Sequence, residues 1–309
     1  MQALQEERPD LELHVVTQNS NTALLDGLGF TSVIPFDRHG GWRGLRDVRQ
    51  AMRRVDADVA VDLQGNWKSA IITRMSGAGR RVGAASSHRQ DPLSGCLLER
   101  FGIDGPKHPA HVATCLLSEI SGQKPSPTAL GRRALLRATE AELRRVDGQL
   151  IDLGLNPQRP IDVLVVARPE DNRAWPIQAM QHQASVTSAQ VLWLKGPAES
   201  TVELPPGALA MTHEANSLRD LVSLGCRIAG REGRVFGPDV GGTHVLAACG
   251  VQTHAFFGPQ DPERTGPPGA HILVHPDPPS CMPCRSRSCS HPKGPVCMEF
   301  GAAGAGQDR

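Results

Sequence analysis

The sequence lacks tyrosine altogether, and aromatic side chains make up only 4% of its 309 residues. It also lacks an excess of either charge, because 33 basic side chains oppose 32 acidic ones and leave a net charge of +1. This balance argues against a nucleic-acid binder, which usually carries a strongly basic face. No run of about 18 apolar residues is present, so no helix is expected to span a bilayer. The first residues lack a secretion signal, and we therefore expect a cytoplasmic protein.

Cysteine is too sparse for a disulfide scaffold, with eight residues in the chain. Four of them lie close together in a C-x2-C-x4-C-x7-C pattern: Cys281, Cys284, Cys289 and Cys297. Four thiolates can close a tetrahedral zinc site, but such sites typically have two C-x2-C pairs, and this cluster has only one. We favour reduced thiols in a proline-rich loop and expect no metal or other cofactor, with the zinc site as the alternative.

Short β-branched runs alternate with helical stretches in both halves of the chain. The pattern predicts strands at 11–16, 31–36, 58–63, 81–84, 162–166, 190–194, 227–229 and 251–257. It predicts helices at 42–55, 67–75, 139–153, 176–184, 217–224 and 243–249. Such alternation implies an α/β fold with parallel sheets covered on both faces.

A proline-rich stretch at 124–128 divides the predicted elements into two domains, 1–125 and 126–300, and 301–309 is expected to be a disordered tail. The chain opens with residues 3–7, which are typical of the end of a helix rather than of a strand. A doubly wound sheet places its first strand in the middle. We therefore expect the first domain to lack its central strand, so that two neighbouring strands have no common partner.

The first candidate site is the segment 239–248, DVGGTHVLAA, in which a carboxylate and two glycines precede an apolar helix. Either Thr243 or Gly242 is a plausible N-cap. Backbone N–H groups at such a helix start can bind a phosphate or diphosphate. The alternative is a capped loop with ordinary turn glycines.

Two further segments follow predicted strands, where ligands bind in parallel α/β sheets. In 61–69, VDLQGNWKS, the side chains of Gln64 and Lys68 could bind hydroxyl or anionic groups, unless Lys68 is simply solvated. In 168–176, RPEDNRAWP, Arg173 could reach a phosphate as a planar donor. The spacing alone favours a surface salt bridge for Arg173.

Several of these segments resemble motifs of one protein family. Residues 62–69 are similar to D-x-Q-G-x-x-K-S, residues 239–248 to D-T-G-x-x-H-L-A-A, and residues 257–267, FGPQDPERTGP, to F-G-P-T-D-P-x-R-T-G-P. With the cysteine cluster, these stretches resemble the heptosyltransferases, glycosyltransferase family 9. The resemblance implies a GT-B-like fold, with two Rossmann-like domains whose parallel sheets face a cleft.

The resemblance also implies an activity, the inverting and metal-independent transfer of heptose from ADP-heptose to the inner core of lipopolysaccharide. The acceptor would be an anionic glycolipid at the inner face of the membrane, to which the protein could bind peripherally. The roles implied for the donor side fall on Gly241, Gly242, Thr243 and His244 for the nucleotide sugar, Asp220 for the ribose, and Arg173 and Asp239 for catalysis. Gln64 and Lys68 would face the acceptor, in a window from 68 to 107 that is rich in basic residues.

Two departures from the family pattern favour an alternative. The family's S-x-x-G-D segment, whose Asp is the expected general base, has no match in this sequence, and P-G-A is replaced by ARP at 167–169. A positioned base typically contributes about 10²–10⁴-fold in rate. The alternative is therefore a catalytically impaired nucleotide-sugar-binding protein of the same fold.

Overall fold

The computed structural model describes residues 8–122, 134–213, 218–286 and 288–300. The chain divides into two compact units, Met1–Leu130 and Gly131–Arg309. The expected linker at 124–128, the helix end at 3–7 and the tail at 301–309 lie outside the described residues. Within the described ranges, no helix is both long and apolar enough to cross a membrane.

The second unit contains one six-stranded parallel sheet. Its strands are β6 (Ile161–Val165), β7 (Gln190–Lys195), β8 (Ala210–Thr212), β9 (Arg234–Pro238), β10 (Gln252–Phe257) and β11 (His271–Val274). Their spatial order is β11-β10-β9-β6-β7-β8. Counted from the first strand of the unit, this is the 3-2-1-4-5-6 order of a doubly wound sheet read from the β8 edge.

In the described part of the same unit there are five α-helices: α4 (Glu140–Asp152), α5 (Ile177–Val186), α6 (Leu218–Ala229), α7 (Gly241–Ala248) and α8 (Pro262–Thr265). The central strand β6 is buried along its whole length, as expected for an apolar run between two neighbours. Its one charged side chain, Asp162, accepts hydrogen bonds from the Arg234 guanidinium at 3.1 and 2.6 Å. The core beside β6 includes Trp175, Trp193 and Phe256.

The strand predicted at 227–229 is wrong. These residues form the end of α6, in which Leu221, Leu224 and Ile228 are buried at helical spacing. The next strand begins at Arg234 instead. A run of three residues, Arg-Ile-Ala, is too short to show a period, so it could not distinguish a helix end from a strand.

Over residues 8–122, the first unit contains five strands in two separate parallel sheets. They are β1 (His14–Gln18), β2 (Ser32–Phe36), β3 (Val59–Asp62), β4 (Arg80–Ala84) and β5 (Glu99–Phe101). Between them lie α1 (Gly41–Val55), α2 (Trp67–Met75) and, after β5, α3 (Pro109–Ser121). One sheet has the order β1-β2 and the other β3-β4-β5, and within residues 8–122 no strand joins them.

The two units therefore differ in the middle of their sheets. In the 3-2-1-4-5-6 order of the second unit, place 1 is the central strand. If β1 and β2 correspond to places 2 and 3, and β3 to β5 to places 4 to 6, the described part of unit 1 has no strand in this central place. The strands on either side of that place are incompletely buried, in contrast to β6: every residue of β1 and the first three residues of β3 are only half-buried. Among the described strands, each of these two has a hydrogen-bonded neighbour on one side alone.

Candidate functional site

The first cluster of candidate residues lies where β9 leads into α7. The N-cap of α7 is Val240, so the predictions of Gly242 and Thr243 as caps are wrong. The helical hydrogen bonds begin with the His244 N–H, which donates to the Val240 carbonyl at 3.3 Å. The N–H groups of Gly241, Gly242 and Thr243 precede that bond, and a helix has no acceptor of its own for them. They form a concentrated set of donors at the positive end of the helix dipole.

The glycines at this turn differ in the space around them. A Cβ atom added at Gly241 would meet no atom within 4 Å, so the backbone there is openly accessible. A Cβ at Gly242 would lie 3.3 Å from Val165 Cγ1, and one at Gly237 would lie 2.8 Å from Val165 Cβ. Gly237 and Gly242 therefore allow close packing against β6, whereas Gly241 leaves room for a ligand.

Thr243 offers only its backbone to such a ligand. The side chain is fully buried, and within the described ranges its hydroxyl oxygen has no hydrogen-bond partner. The expectation of a nucleotide-sugar contact at this residue therefore applies to the N–H group and not to the hydroxyl.

The Asp239 carboxylate lies at the same turn and has both oxygens in contact with other side chains. Oδ1 is 2.7 Å from His244 Nε2, and Oδ2 accepts a hydrogen bond from Thr265 Oγ1 at 3.3 Å. The Asp239 side chain is 11% exposed and that of His244 36%. Asp239 thus connects the segment 239–248 to the FGPQDPERTGP segment, which sequence analysis had treated separately.

Arg173 lies beside Asp239, the other residue for which the resemblance implies a catalytic role. Its Nη1 donates to the Asp239 backbone carbonyl at 2.7 Å, and its Nε and Nη2 donate to the Asp171 carboxylate at 2.9 and 2.6 Å. The paired hydrogen bonds lower the pKa of Asp171 and raise that of Arg173. The salt bridge that the spacing favoured is therefore present, and it also fixes a permanently charged guanidinium next to the turn.

Asp220 lies in a different group of side chains. It is in the first turn of α6, and its Oδ1 accepts hydrogen bonds from Arg145 Nε and Nη2 at 3.0 and 2.6 Å. Since Arg145 belongs to α4, this ion pair ties two helices together. The Asp220 carboxylate therefore holds α4 against α6. Its expected contact with the ribose stays a prediction.

The four clustered cysteines do not close a metal site. Cys281, Cys284 and Cys289 are exposed, whereas Cys297 is buried in the core beside Met298. Burial raises the pKa of the Cys297 thiol. Over the ranges that the structure covers, no group of three or more His, Cys, Asp or Glu side chains is arranged to hold a metal ion.

In the first unit, Asp62 organises the turn after β3. Its Oδ1 accepts hydrogen bonds from the Gln64 N–H at 3.1 Å and the Gly65 N–H at 2.9 Å, and its Oδ2 from Arg89 Nη2. Gly65 has a φ of 72°, and an added Cβ would lie 3.2 Å from Arg89 Cα. The glycine is required both by the left-handed backbone and by this close approach.

Gln64 and Lys68 are both exposed at the carboxyl end of β3 and the first turn of α2. The helix start between them is capped by Asn66, whose side chain accepts a hydrogen bond from the Ser69 N–H at 3.0 Å. The structure thus brings the two predicted acceptor-binding side chains to one edge of the sheet.

Three residues that shape these two clusters were not among the predicted site residues: Asp171, Thr265 and Arg89. Asp171 and Thr265 stood inside segments already singled out, so their polar side chains were a usable signal. Arg89 lies 27 residues after Asp62, and no local spacing could have identified it.

Comparison with known proteins agrees with this architecture. Residues 45–294 match glycosyltransferase family 9 (heptosyltransferase). The chain is 26% identical over 268 residues to lipopolysaccharide heptosyltransferase 1 of Pseudomonas aeruginosa, an alignment that covers 82% of this chain and 68% of that protein.

Two solved structures have a similar fold. One is the family 9 glycosyltransferase from Veillonella parvula, with a TM-score of 0.70 and 15% identity over 88% of this chain and 80% of that one. The other is E. coli heptosyltransferase WaaC with ADP, with a TM-score of 0.66 and 19% identity over 87% of this chain and 85% of that one. These likenesses confirm the predicted α/β, GT-B-like fold class. Because the family match spans most of the sequence, the chain belongs to glycosyltransferase family 9, the heptosyltransferases, and is a glycosyltransferase.

Proposed function

We propose that the chain transfers a heptose from ADP-heptose to the inner core of lipopolysaccharide, with inversion and without a metal ion. The observation that carries the proposal is the start of α7, where three backbone N–H groups precede the helical hydrogen bonds and Gly241 leaves open space. Arg173 and His244 lie at the same turn. E. coli WaaC has been solved with ADP and with ADP-2-deoxy-2-fluoro heptose, which supports a donor of this kind.

The chemistry of the donor explains why such a turn is useful. When an acceptor hydroxyl attacks the anomeric carbon, a new C–O bond forms and the hydroxyl proton passes to the surrounding water. The bond to the diphosphate oxygen breaks, and negative charge develops on the leaving group. The helix end carries the equivalent of about half a positive charge, and its N–H groups donate directly to anionic oxygens. Preorganised donors of this kind stabilise a developing charge without reorganisation during the reaction. The chain's own groups can therefore supply the charge stabilisation that the reaction needs.

Arg173 adds a cation with a fixed orientation. Asp171 holds two of its nitrogen atoms, and the third donates to the backbone at Asp239. We infer that Arg173 stabilises the diphosphate through its remaining donor capacity and keeps the Asp239 turn in place. A guanidinium suits this role because it is planar and always charged.

On the acceptor side, the exposed Gln64 and Lys68 are proposed to bind the anionic glycolipid. The window from 68 to 107 contains seven basic and three acidic side chains, which favours an acidic ligand. We propose that the protein binds this acceptor at the inner face of the membrane, as a peripheral protein.

A second candidate is a nucleotide-sugar-binding protein that does not turn its ligand over. It is favoured by the Asp239 carboxylate, both of whose oxygens already contact other side chains and which is therefore a poor acceptor for the proton of the attacking hydroxyl.

Titration with ADP-heptose, alongside an assay of heptose transfer to lipopolysaccharide precursors, separates the two candidates. Binding with transfer supports the first, and binding without transfer supports the second. Asp239→Ala should weaken binding, whereas Asp152→Ala, at an exposed carboxylate at the end of α4, should leave it unchanged. Unchanged binding in Asp239→Ala would contradict the placement of the donor site.

A further inference from the structure

Helix α1 in the first unit presents an unusual row of side chains to solvent. Trp42, Arg46, Arg49 and Arg53 follow one another at intervals of four, three and four residues, and all four are exposed. At 3.6 residues per turn these positions lie within about 60° of one another, along about 16 Å of the helix. We call these four residues the arginine face. Trp42 is 88% exposed, more than any other large hydrophobic side chain in the described ranges.

The opposite side of α1 is fixed to the body of the unit. Gly44, Val48 and Met52 are buried, and Val48 and Met52 pack with Ile34 of β2 in one core cluster. The arginine face is therefore held outward by the fold and does not depend on a mobile segment.

The charge of the helix is strongly one-sided although the whole chain is nearly neutral. The sequence of α1, GWRGLRDVRQAMRRV, contains five arginines and a single acidic residue, Asp47. Asp47 contacts Arg46 at 3.4 Å in an exposed pair, which screening by salt leaves weak. Arg43 and Arg54 are also exposed and add to the positive charge beside the arginine face.

The composition of the face distinguishes between possible partners. The buried centre of a protein–protein interface is depleted of charge, so one tryptophan among arginines is a poor match for it. A membrane surface offers a layer of anionic headgroups above the apolar chains, in which arginine binds phosphate and the amphipathic indole ring is stable at the boundary. The near-neutral chain as a whole argues against a nucleic acid as the partner.

We propose that the arginine face of α1 docks the protein onto bilayers that contain anionic phospholipids, with Trp42 inserted at the headgroup level. The inference rests on the peripheral membrane binding included in the proposed function, but not on the identity of the sugar transferred. It assigns that binding to residues other than those of the α7 turn and other than Gln64 and Lys68.

The test is flotation of the full chain with vesicles at about 0.1 M salt. Vesicles of phosphatidylethanolamine and phosphatidylglycerol should bind the protein, and vesicles of phosphatidylcholine alone should bind it weakly. The triple change R46Q, R49Q and R53Q should weaken binding to the anionic vesicles about 10–100-fold, since each basic side chain near such a surface contributes to the affinity. Trp42→Ala should weaken it as well, whereas Leu93→Ala, at another exposed apolar residue of the same unit, should not.

The matched control for charge is the triple change R144Q, R159Q and R231Q, at three exposed arginines of the second unit. Equal weakening by both triple variants, equal binding to the neutral vesicles, or tighter binding to duplex DNA than to the anionic vesicles would each overturn the proposal. Titration with ADP-heptose should be the same in both triple variants. If the vesicles bind the protein but no sugar is transferred, the docking surface stands and the proposed function fails.

Discussion

Arg89 donates a hydrogen bond to Asp62 in an ion pair whose two side chains have no exposure to solvent. Arg89 is held in turn by Ser94 Oγ at 2.9 Å and by the Ala84 carbonyl at 3.3 Å. The other oxygen of Asp62 accepts the N–H groups of Gln64 and Gly65, so Arg89 fixes the turn after β3 by holding the Asp62 carboxylate.

Replacing Arg89 by Met should therefore destabilise the first unit. The change leaves a buried carboxylate without its counter-charge, and breaking a buried pair in this way typically costs about 3–5 kcal/mol. Urea unfolding followed by circular dichroism measures the loss. Arg80→Met removes one partner of the exposed pair with Glu99 and should cost much less, because exposed ion pairs contribute little to stability. Equal losses in the two variants would contradict the role assigned to Arg89.

Gly241 at the start of α7 and Gly237 in β9 should respond oppositely to an added methyl group. Gly241→Ala has free space for its Cβ, so the free energy of unfolding should change by less than about 1 kcal/mol. The methyl group would occupy the open side of the turn, and affinity for ADP should fall. Gly237→Ala places its Cβ 2.8 Å from Val165 Cβ and should destabilise the second unit by about 1–3 kcal/mol. Thermal unfolding and ADP titration of both variants check the pair, and an unchanged ADP affinity in Gly241→Ala would argue against a diphosphate at this position.

Removal of the fixed cation should weaken binding of the donor. Arg173→Ala deletes a charged donor beside the turn, and hydrogen bonds to charged groups contribute about 1.5–3 kcal/mol, so ADP affinity should fall by about 10-fold or more. Arg168→Ala is the matched control, because Arg168 is an exposed arginine on the same loop that lies 3.8 Å from Glu199. Calorimetric titration with ADP measures both variants. A similar loss of affinity in the control would point to general surface charge rather than to Arg173.

The stability of the second unit should depend on pH through Glu142. Hydrogen bonds from Arg219, and from Thr139 at the helix N-cap, lower the pKa of Glu142 from 4.5 to about 2. A carboxyl whose folded pKa is depressed stabilises the fold at pH values above its unfolded pKa and loses that contribution as the pH falls toward its folded pKa. The contribution should thus be complete above about pH 5 and disappear between about pH 4.5 and 2.

Glu142→Gln isolates this effect. Since the pair is partly solvated, we expect the variant to be about 1–2 kcal/mol less stable than the natural chain at pH 7, and equally stable near pH 2. Glu140→Gln, an exposed neighbour in the same helical turn, serves as the control. Urea unfolding across the pH range measures the difference, and a difference that does not shrink toward low pH would rule out the ion pair as its cause.

Local sequence patterns predicted most of the strands and helices because burial repeats with the period of each element. The apolar run of β6 and the amphipathic pattern of α1 are examples, and both appear within one or two residues of the predicted bounds. The end of α6 at Ala229 was mistaken for a strand because so short a run has no period. The cap of α7 at Val240 was missed because its side chain makes no capping hydrogen bond, and residue type alone therefore gave no sign of it.

The features of the candidate site that depend on local sequence were predicted, and those that depend on contacts between distant residues were not. The position of Gly241 and Gly242 at a turn between a strand and a helix was predictable, because such turns favour small residues at fixed places. The ion pair between Asp62 and Arg89, and the contact of Thr265 with Asp239, join residues 27 and 26 positions apart. Such contacts depend on how the strands are arranged in space, and no spacing rule for a single chain predicts them.

The division of the first unit into two sheets has a consequence for how the protein behaves at high concentration. Strands β1 and β3 each leave one row of backbone donors and acceptors unused by any other described strand. Unpaired strand edges are templates for pairing with another chain. These two strands therefore add pairing edges to the outer strands that every open sheet has, and self-association through the first unit should increase with protein concentration.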